Sequence, residues 1–421
     1  MKAAAQYWEN LGPGLTTGAA DDDPSGIATY SQAGAKFGFG FLWTALFTFP
    51  LMGTIQEMCA RIGLVTGRGL AGNIKKHFPK KVIYLTSLSL FFANTFNIGA
   101  NLGAMSEALR LLLPQANFYI LVVAFAVFSL LLQILLSYAS YARYLKWLAL
   151  VLFAYIFSAL SLNLDWSEIF KATLKPSLIT SADGIIMLCA IFGTTISPYL
   201  FFWQSSQEVE EEILAGKTTI QLRSSETKSE DIARMRTDVW SGMFFSNFVM
   251  FFIMITCGVV LFKSGINNVE TASQAAEALK PLAGKWAYLL FTVGIVGTGL
   301  LAVPVLAGGA AYALAESFNW RQGLYKKFSG AKKFYYTIIA GMTLGAALNF
   351  FGLNPIKALI YSAVINGLVA PVVLIQIVKI SSDKKIMGNW QNNRFISTLG
   401  WITCIIMILA GVAAIAALIV T

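Results

Sequence analysis

Charge is what this sequence has least of. Only 12% of its 421 residues are charged and 57% are hydrophobic, whereas soluble domains carry about 25% charged residues. A water-soluble fold of this length needs more polar surface than these residues supply. Histidine occurs once, at His77, in a charged loop. The four cysteines, Cys59, Cys189, Cys257 and Cys404, stand apart in or beside apolar stretches with no CxxC pair, and read as buried small hydrophobes. A glycine-rich GxxxxGK phosphate loop is absent, so nothing supports ATP-driven pumping. With no recognisable nucleophile–base or metal set, neither an enzyme nor a bound cofactor is expected.

What is present is long apolar runs, such as Val82–Leu102, Phe118–Tyr138, Phe245–Phe262 and Ile396–Val420. About 20 apolar residues cross roughly 30 Å of hydrocarbon as a helix. The runs do not alternate, which excludes a strand barrel, and lipid leaves helices as the remaining solution. The expected fold is therefore an all-α integral membrane protein forming one transmembrane domain over 1–421. Its eleven segments fall at about 11–35, 39–62, 82–112, 117–138, 143–163, 183–205, 239–262, 286–314, 334–351, 355–379 and 396–420. The third and eighth are long enough to tilt or protrude. The first holds three aspartates and no cleavage site, so no cleavable signal peptide is expected.

Lys and Arg crowd on one side. The 2–3 loop carries Arg61 to Lys81, the 4–5 turn Arg143 and Lys146, and the 6–7 loop Lys217 to Arg236. The 8–9 loop carries Arg321 to Lys333, and the 10–11 loop Lys379 to Arg394. This predicts a multi-pass protein of the cell membrane with a cytoplasmic N-terminus and, after eleven spans, an extracellular C-terminus. The net charge of +10 is then an inside bias facing anionic lipid, and no nucleic-acid partner is expected. The stretch 207–238, which opens with Glu208, Glu210, Glu211 and Glu212, reads as a solvated linker with some helix.

Two segments contain what a spanning helix avoids. Segment 1 holds Asp21, Asp22, Asp23, Pro24, Ser25 and Gly26 at its middle. A mid-membrane carboxylate costs at least about 2.5–3.5 kcal/mol, and Pro24 removes a donor and clashes with the preceding turn. Segment 6 repeats the interruption at Gly193, Thr194, Thr195, Ser197, Pro198 and Tyr199. Matching interruptions five helices apart point to inverted repeats, 11–163 and 183–379, with 396–420 added, and to a substrate site near the bilayer centre. Consecutive aspartates fan through about 200°, so they cannot converge. Asp23, beside the break, is the expected direct ligand of a cation. Asp22 is expected behind it or on the access path. Thr194, Thr195 and Ser197 offer hard oxygen donors, and no Met, Cys or His stands at either break. An all-oxygen set suits a hard ion such as Mg²⁺ or Mn²⁺.

The runs LGPGL, QAGAKFGFGFLW, ARIGLVTGRGLA and DKKIMGNWQNNR resemble the Nramp family of divalent metal transporters over almost the whole chain. The resemblance implies a LeuT-type 5+5 inverted repeat with discontinuous helices 1 and 6. It also marks departures. The family's Asp-Pro-Gly-Asn is DPSG here, so Asp23 and Pro24 match and Gly26 replaces the metal-binding Asn. Its Met-Pro-His is SPY, so Ser197 replaces the sulfur ligand and Tyr199 the histidine. Thr194 takes the position whose carbonyl binds metal. An acidic pair of the proton path on helix 3 becomes Asn94 and Asn97. The basic residues of helix 9 are missing, and Ala363 replaces a Gln on helix 10, where Tyr361 or Asn366 would have to compensate. Together these imply alternating-access transport of a hard divalent cation, uncoupled from protons, by a monomer. A small organic or monovalent cation, or a transition metal with altered ligands, remains as an alternative substrate. Gln56 and Glu57 inside segment 2 are expected to pair structurally with Arg61, and Glu107 with Arg110.

Overall fold

The computed structural model describes residues 11–136, 152–225 and 227–420. Among them every regular element is helical. In chain order these are α1 (Pro13–Asp21), α2 (Pro24–Phe37), α3 (Leu42–Thr66), α4 (Leu70–His77), α5 (Lys80–Arg110), α6 (Phe118–Leu135) and α7 (Phe153–Leu160). There follow α8 (Trp166–Leu174), α9 (Ala182–Thr195), α10 (Pro198–Leu214), α11 (Ile220–Ser225) and α12 (Ser229–Cys257), which a π turn extends over Gly258–Phe262. The rest are α13 (Ala272–Glu277), α14 (Lys280–Ala283), α15 (Ala287–Ser317), α16 (Lys332–Leu348), α17 (Pro355–Ser382), α18 (Lys384–Met387) and α19 (Arg394–Val420).

Eight helices among the described residues are long and apolar enough to cross a membrane. Segment 1, split into α1 and α2, is not one of them because three aspartates stand at its break, whereas the equally split segment 6 carries no charge there. Segment 2 is the unbroken 25-residue α3, whose Thr48, Thr54, Gln56 and Glu57 dilute its apolar character. Residues 143–151, with Arg143 and Lys146, lie outside the described residues, and α7 is the later part of that segment. The long third and eighth segments are helices of 31 residues each, about 46 Å at 1.5 Å per residue. Phe92, Ile120, Leu135 and Ile419 are 66–80% exposed on the outside of the bundle, a surface that suits hydrocarbon and not water.

Proline alone does not account for the interruptions. Pro50, Pro304 and Pro371 lie inside continuous helices. The two breaks combine proline with a residue that stops the helix before it. At the first, Asp23 is extended (φ −65°, ψ 171°), as a residue before proline is driven to be. Its carboxylate then caps α2 by accepting from the Gly26 amide at 2.8 Å. At the second, Ser197 is extended (φ −82°, ψ 130°) before Pro198. Both prolines open the following helix, where the missing amide hydrogen is no loss.

The 207–238 stretch differs from expectation. α10 runs on to Leu214, and Glu208, Glu210 and Glu212 are 7%, 2% and 5% exposed, so they are not solvated. Glu210 accepts from the Tyr312 hydroxyl at 2.6 Å and from the Leu324 and Tyr325 amides at 2.9 and 3.1 Å. A carboxylate with three donors in a protein interface is worth burying, which explains why a charge-rich sequence folds inward here. The expected glutamate pairings are present, but Gln56 does not join Arg61: both its amide atoms are buried without a partner. Glu107 meets Arg110 at 3.0 Å. Glu57 meets Arg61 at 3.4 Å and, in addition, Arg236 at 3.0 Å and the Trp240 indole at 2.8 Å. Arg61 also donates to Asn392, tying α3 to the loop before α19.

The N-terminal half of the first broken helix is held by α12. Asp238 accepts from the amides of Gly12, Gly14 and Leu15 at 2.8, 2.7 and 3.1 Å. This places a carboxylate on the positive end of α1 and satisfies donors that a helix start leaves over. Gly18 and Gly242 let the two backbones touch, since a Cβ at Gly18 would run into the Gly242 carbonyl. Asp238→Ala is expected to cost about 1–3 kcal/mol through the stranded amides. A fall in the thermal midpoint of the detergent-solubilised protein, smaller for Asp238→Asn, checks it.

Candidate functional site at two helix breaks

The two breaks meet in the middle of the bundle. The Tyr199 hydroxyl at the start of α10 donates to the Ala20 carbonyl near the end of α1 at 2.8 Å. Gly26 closes the other side: a Cβ there would lie 2.9 Å from the Asp21 carbonyl and 3.3 Å from Thr194 Oγ1. Glycine at this position lets α2 approach both α1 and α9. The family's Asn would have no room without movement.

The three aspartates point to different elements, Asp21 from the last turn of α1, Asp22 and Asp23 from the non-helical break itself. All are 0–1% exposed. Asp21 turns to α12, where Ser246 donates to its Oδ2 at 2.6 Å. Asp23 turns to α5: its Oδ2 accepts from Asn101 Nδ2 at 3.0 Å and, more weakly, from Asn97 Nδ2 at 3.4 Å. Asp22 has neither carboxylate oxygen in a hydrogen bond. Among the described residues, no Lys, Arg or His forms an ion pair with any of the three.

A short polar chain continues from Asp23 into α17. Asn97 Oδ1 accepts from the Ser362 hydroxyl at 3.1 Å. Ser362 also lies 3.1 Å from Ser25 Oγ, and Ser25 donates to the Leu359 carbonyl at 3.0 Å. Asn94, one turn before Asn97, instead donates to the Leu306 carbonyl of α15 at 2.8 Å. At the second break, Ser197 donates to the carbonyls of Gly193 and Thr194 at 2.6 and 2.9 Å. Thr195 donates to the Ile191 carbonyl at 2.8 Å. Both hydroxyl hydrogens are therefore spent on α9, and only their lone pairs are open to a ligand.

Sequence reasoning misplaced or overlooked several of these groups. Tyr361 is 54% exposed and faces away from the polar cluster. Its neighbour Ser362, one position and 100° further round α17, reaches the cluster instead. Asn366 is buried with its Oδ1 unpartnered, and no bond ties it to Asp23. Asn101 was not singled out as a site residue, yet it makes the better of the two side-chain amide bonds to Asp23. Its spacing from Asn97, one turn on the same helix face, was the available signal. Ser246 carried no signal in sequence.

The site is closed on both sides. Toward 263–285, Gln32 on α2 donates to Asn268 Oδ1 and accepts from the Val269 amide, each at 2.7 Å. Under this clasp, the apolar gap bounded by Ile27, Ala104, Val269 and Ala272 holds only about 10 Å³. Toward the Lys- and Arg-rich loops, the Tyr199–Ala20 bond and the α1–α12 contact shut the way.

A family model described as natural resistance-associated macrophage protein-like, Nramp, matches residues 14–417. This chain belongs to the Nramp family. The chain is 23% identical over 402 residues to the divalent metal cation transporter MntH of Pectobacterium carotovorum, a match covering 94% of this chain and 92% of that one. The crystal structure of the Eremococcus coleocola manganese transporter, in complex with an aromatic bis-isothiourea substituted compound, superposes with a TM-score of 0.74 at 19% identity, covering 96% of this chain and 86% of that one. MhsT in complex with L-phenylalanine follows at 0.59 and 12% identity, covering 97% and 98%. The chain thus shares the all-α, multi-pass fold of these two proteins. The breaks in this Nramp chain carry one motif pair, Asp23–Pro24 and Ser197–Pro198, on which the rest of the cluster is hung.

Gly26→Ala is expected to push apart α1 and α2, with a loss of about 1–3 kcal/mol from overpacking. Thermal melting reads this loss, and an unchanged midpoint would contradict the close approach. The pair Gly26→Asn with Ser197→Met, which returns the family's residues, is expected to gain Cd²⁺ binding in calorimetry only together with a lowered midpoint.

Proposed function

We propose that this protein carries a hard divalent cation, Mg²⁺ or Mn²⁺, across the membrane by alternating access, with Asp23 as the anionic ligand between the two broken helices. The observation that carries this reading is the set of three fully buried carboxylates with no cationic partner among the described residues. A buried charge needs a counter-charge or a proton. A substrate cation supplies the first. The unengaged acceptors are all oxygen: Asp21 Oδ1, both oxygens of Asp22, and the side-chain oxygens of Asn94, Asn101 and Asn366. Hard divalent ions take oxygen ligands, whereas soft metals select sulfur and imidazole. Membership of the Nramp family and the relatives' printed roles as divalent metal and manganese transporters agree with this class of substrate.

Transport is read as uncoupled from protons. The helix that meets Asp23 presents neutral Asn97 and Asn101, and Tyr199 donates its hydroxyl to a backbone carbonyl. None of these groups exchanges a proton readily near neutral pH. Segments 11–163 and 183–379 are read as inverted repeats, supported by the matched breaks, with α19 as an addition. The N-terminus is placed in the cytoplasm and the C-terminus outside, on the strength of the basic loops.

In proteoliposomes, Mg²⁺ and Mn²⁺ are expected to enter saturably without acidifying the lumen. Ca²⁺, Cd²⁺ and small amines complete the panel. Asp23→Ala is expected to abolish saturable uptake while the protein still folds. Preferred uptake of an amine, or lumen acidification in step with the metal, would replace this reading. For orientation, the native cysteines are buried, so single cysteines at Lys285 and Lys327 report cleanly. A membrane-impermeant maleimide applied outside whole cells is expected to label Lys285→Cys and not Lys327→Cys.

A further inference from the structure

A polar face of α10 leads away from the break. Gln204, Gln207, Glu208, Glu211 and Glu212 follow the spacing i, i+3, i+4, i+7, i+8, which lines up one side of a helix. They begin five residues after Tyr199, which is bonded to α1 at the break, and span about 12 Å along the axis. Polar groups this deep are normally satisfied, but several here are not. Both amide atoms of Gln207 are buried without a partner, as is Gln204 Oε1, while Gln204 Nε2 donates to Glu208 at 2.8 Å.

The face ends at a cavity of about 240 Å³ between α10, α12 and the start of α1. Five carboxylates line it, Glu208, Glu211, Glu212, Asp231 and Asp238, against two cations, Lys217 and Arg234. An acidic recess is the reverse of the surrounding basic loops, so the inside bias does not explain it. Asp238 is engaged by the α1 amides and Asp231 by the Lys228 amide at 2.9 Å. Glu212 is different. It is 5% exposed in the cavity wall, one oxygen meets Lys217 at 3.3 Å, and the other has no partner.

We propose that this face carries the substrate cation between the breaks and the basic side of the protein, and that Glu208 and Glu212 form a second, weaker divalent-cation site in the cavity. The inference rests on the cation-transport reading of the Asp23 site. Lys217 acts there as a resident counter-charge that an arriving cation displaces from Glu212. The residues between the two sites supply amide oxygens, which can replace water around a hard ion without trapping it.

Calorimetry with Mn²⁺ on the full chain in detergent, paired with Mn²⁺ uptake into proteoliposomes, separates the possibilities. The wild type is expected to show two sites. Asp23→Ala leaves the weaker one. Glu208→Gln with Glu212→Gln leaves the tighter one and slows uptake about tenfold. Lys217→Ala, which keeps both carboxylates, is expected to tighten the weaker site several-fold. A single site lost in Asp23→Ala, with normal uptake in the double Gln variant and no effect of Lys217→Ala, overturns the proposal and leaves the Asp23 reading intact. A single site that needs Glu208 and Glu212, persists in Asp23→Ala and comes with no uptake overturns the Asp23 reading and, with it, the role of this face in transport.

Discussion

Three carboxylates buried inside a bundle of apolar helices, none of them in an ion pair with a basic side chain among the described residues, are the constraint the rest of the structure answers. Each costs several kilocalories per mole to place there, and the fold meets that cost with donors brought from distant parts of the chain. Ser246 comes from α12, Asn97 and Asn101 from α5, and the Gly26 amide from the start of α2. The positive end of α2 points at Asp23, adding a fixed field that favours the anion. None of these contributions cancels a full charge. What remains is a carboxylate pocket that still calls for a bound cation or for protons.

The seal and the site are built from the same elements. Tyr199, which opens the second half of the split segment 6, is also the group that clamps α1. Gln32, eight residues after Pro24, holds the opposite cover through Asn268 and Val269. Asp238 anchors the far end of α1. Movement that opens one side must break these directed hydrogen bonds together with the close packing of α1 on α12. A ligand can shift such an equilibrium only by binding one arrangement better than the other.

Much of this was legible in the chain because it is local. Asp-Pro and Ser-Pro at mid-segment, the capping geometry they impose, and the i, i+4 pair of Glu57 and Arg61 depend on residues close in sequence. Asp238 on the amides of Gly12, Gly14 and Leu15 could not be read in the same way. More than two hundred positions separate the partners, and only the packed glycines of α1 and α12 bring them together. Tyr361 failed for a different reason. A polar stripe on α17 fixes a face to within one residue, and the rotation that chooses Ser362 over Tyr361 is set by the Gly193–Gly367 contact with α9. Charge density alone makes 207–238 read as solvated, which holds for Glu211 but not for Glu208, Glu210 and Glu212, whose helix turns them inward.

The choice of donors also bears on how an ion would be held. At the family's sulfur position, Ser197 has a short side chain whose hydrogen already bonds the Gly193 and Thr194 carbonyls. It therefore reduces the pull of those carbonyls on a cation and presents only a hydroxyl lone pair in return. At the family's Asn position, Gly26 offers no side chain. An ion beside Asp23 would thus gain only neutral oxygens from these two positions, too few to replace a complete hydration shell. Such a set discriminates against ions that must be stripped to bind and suits one that keeps water, which is the behaviour of Mg²⁺. Selectivity in this arrangement comes less from tight ligation than from the absence of any soft donor for a competing metal to prefer.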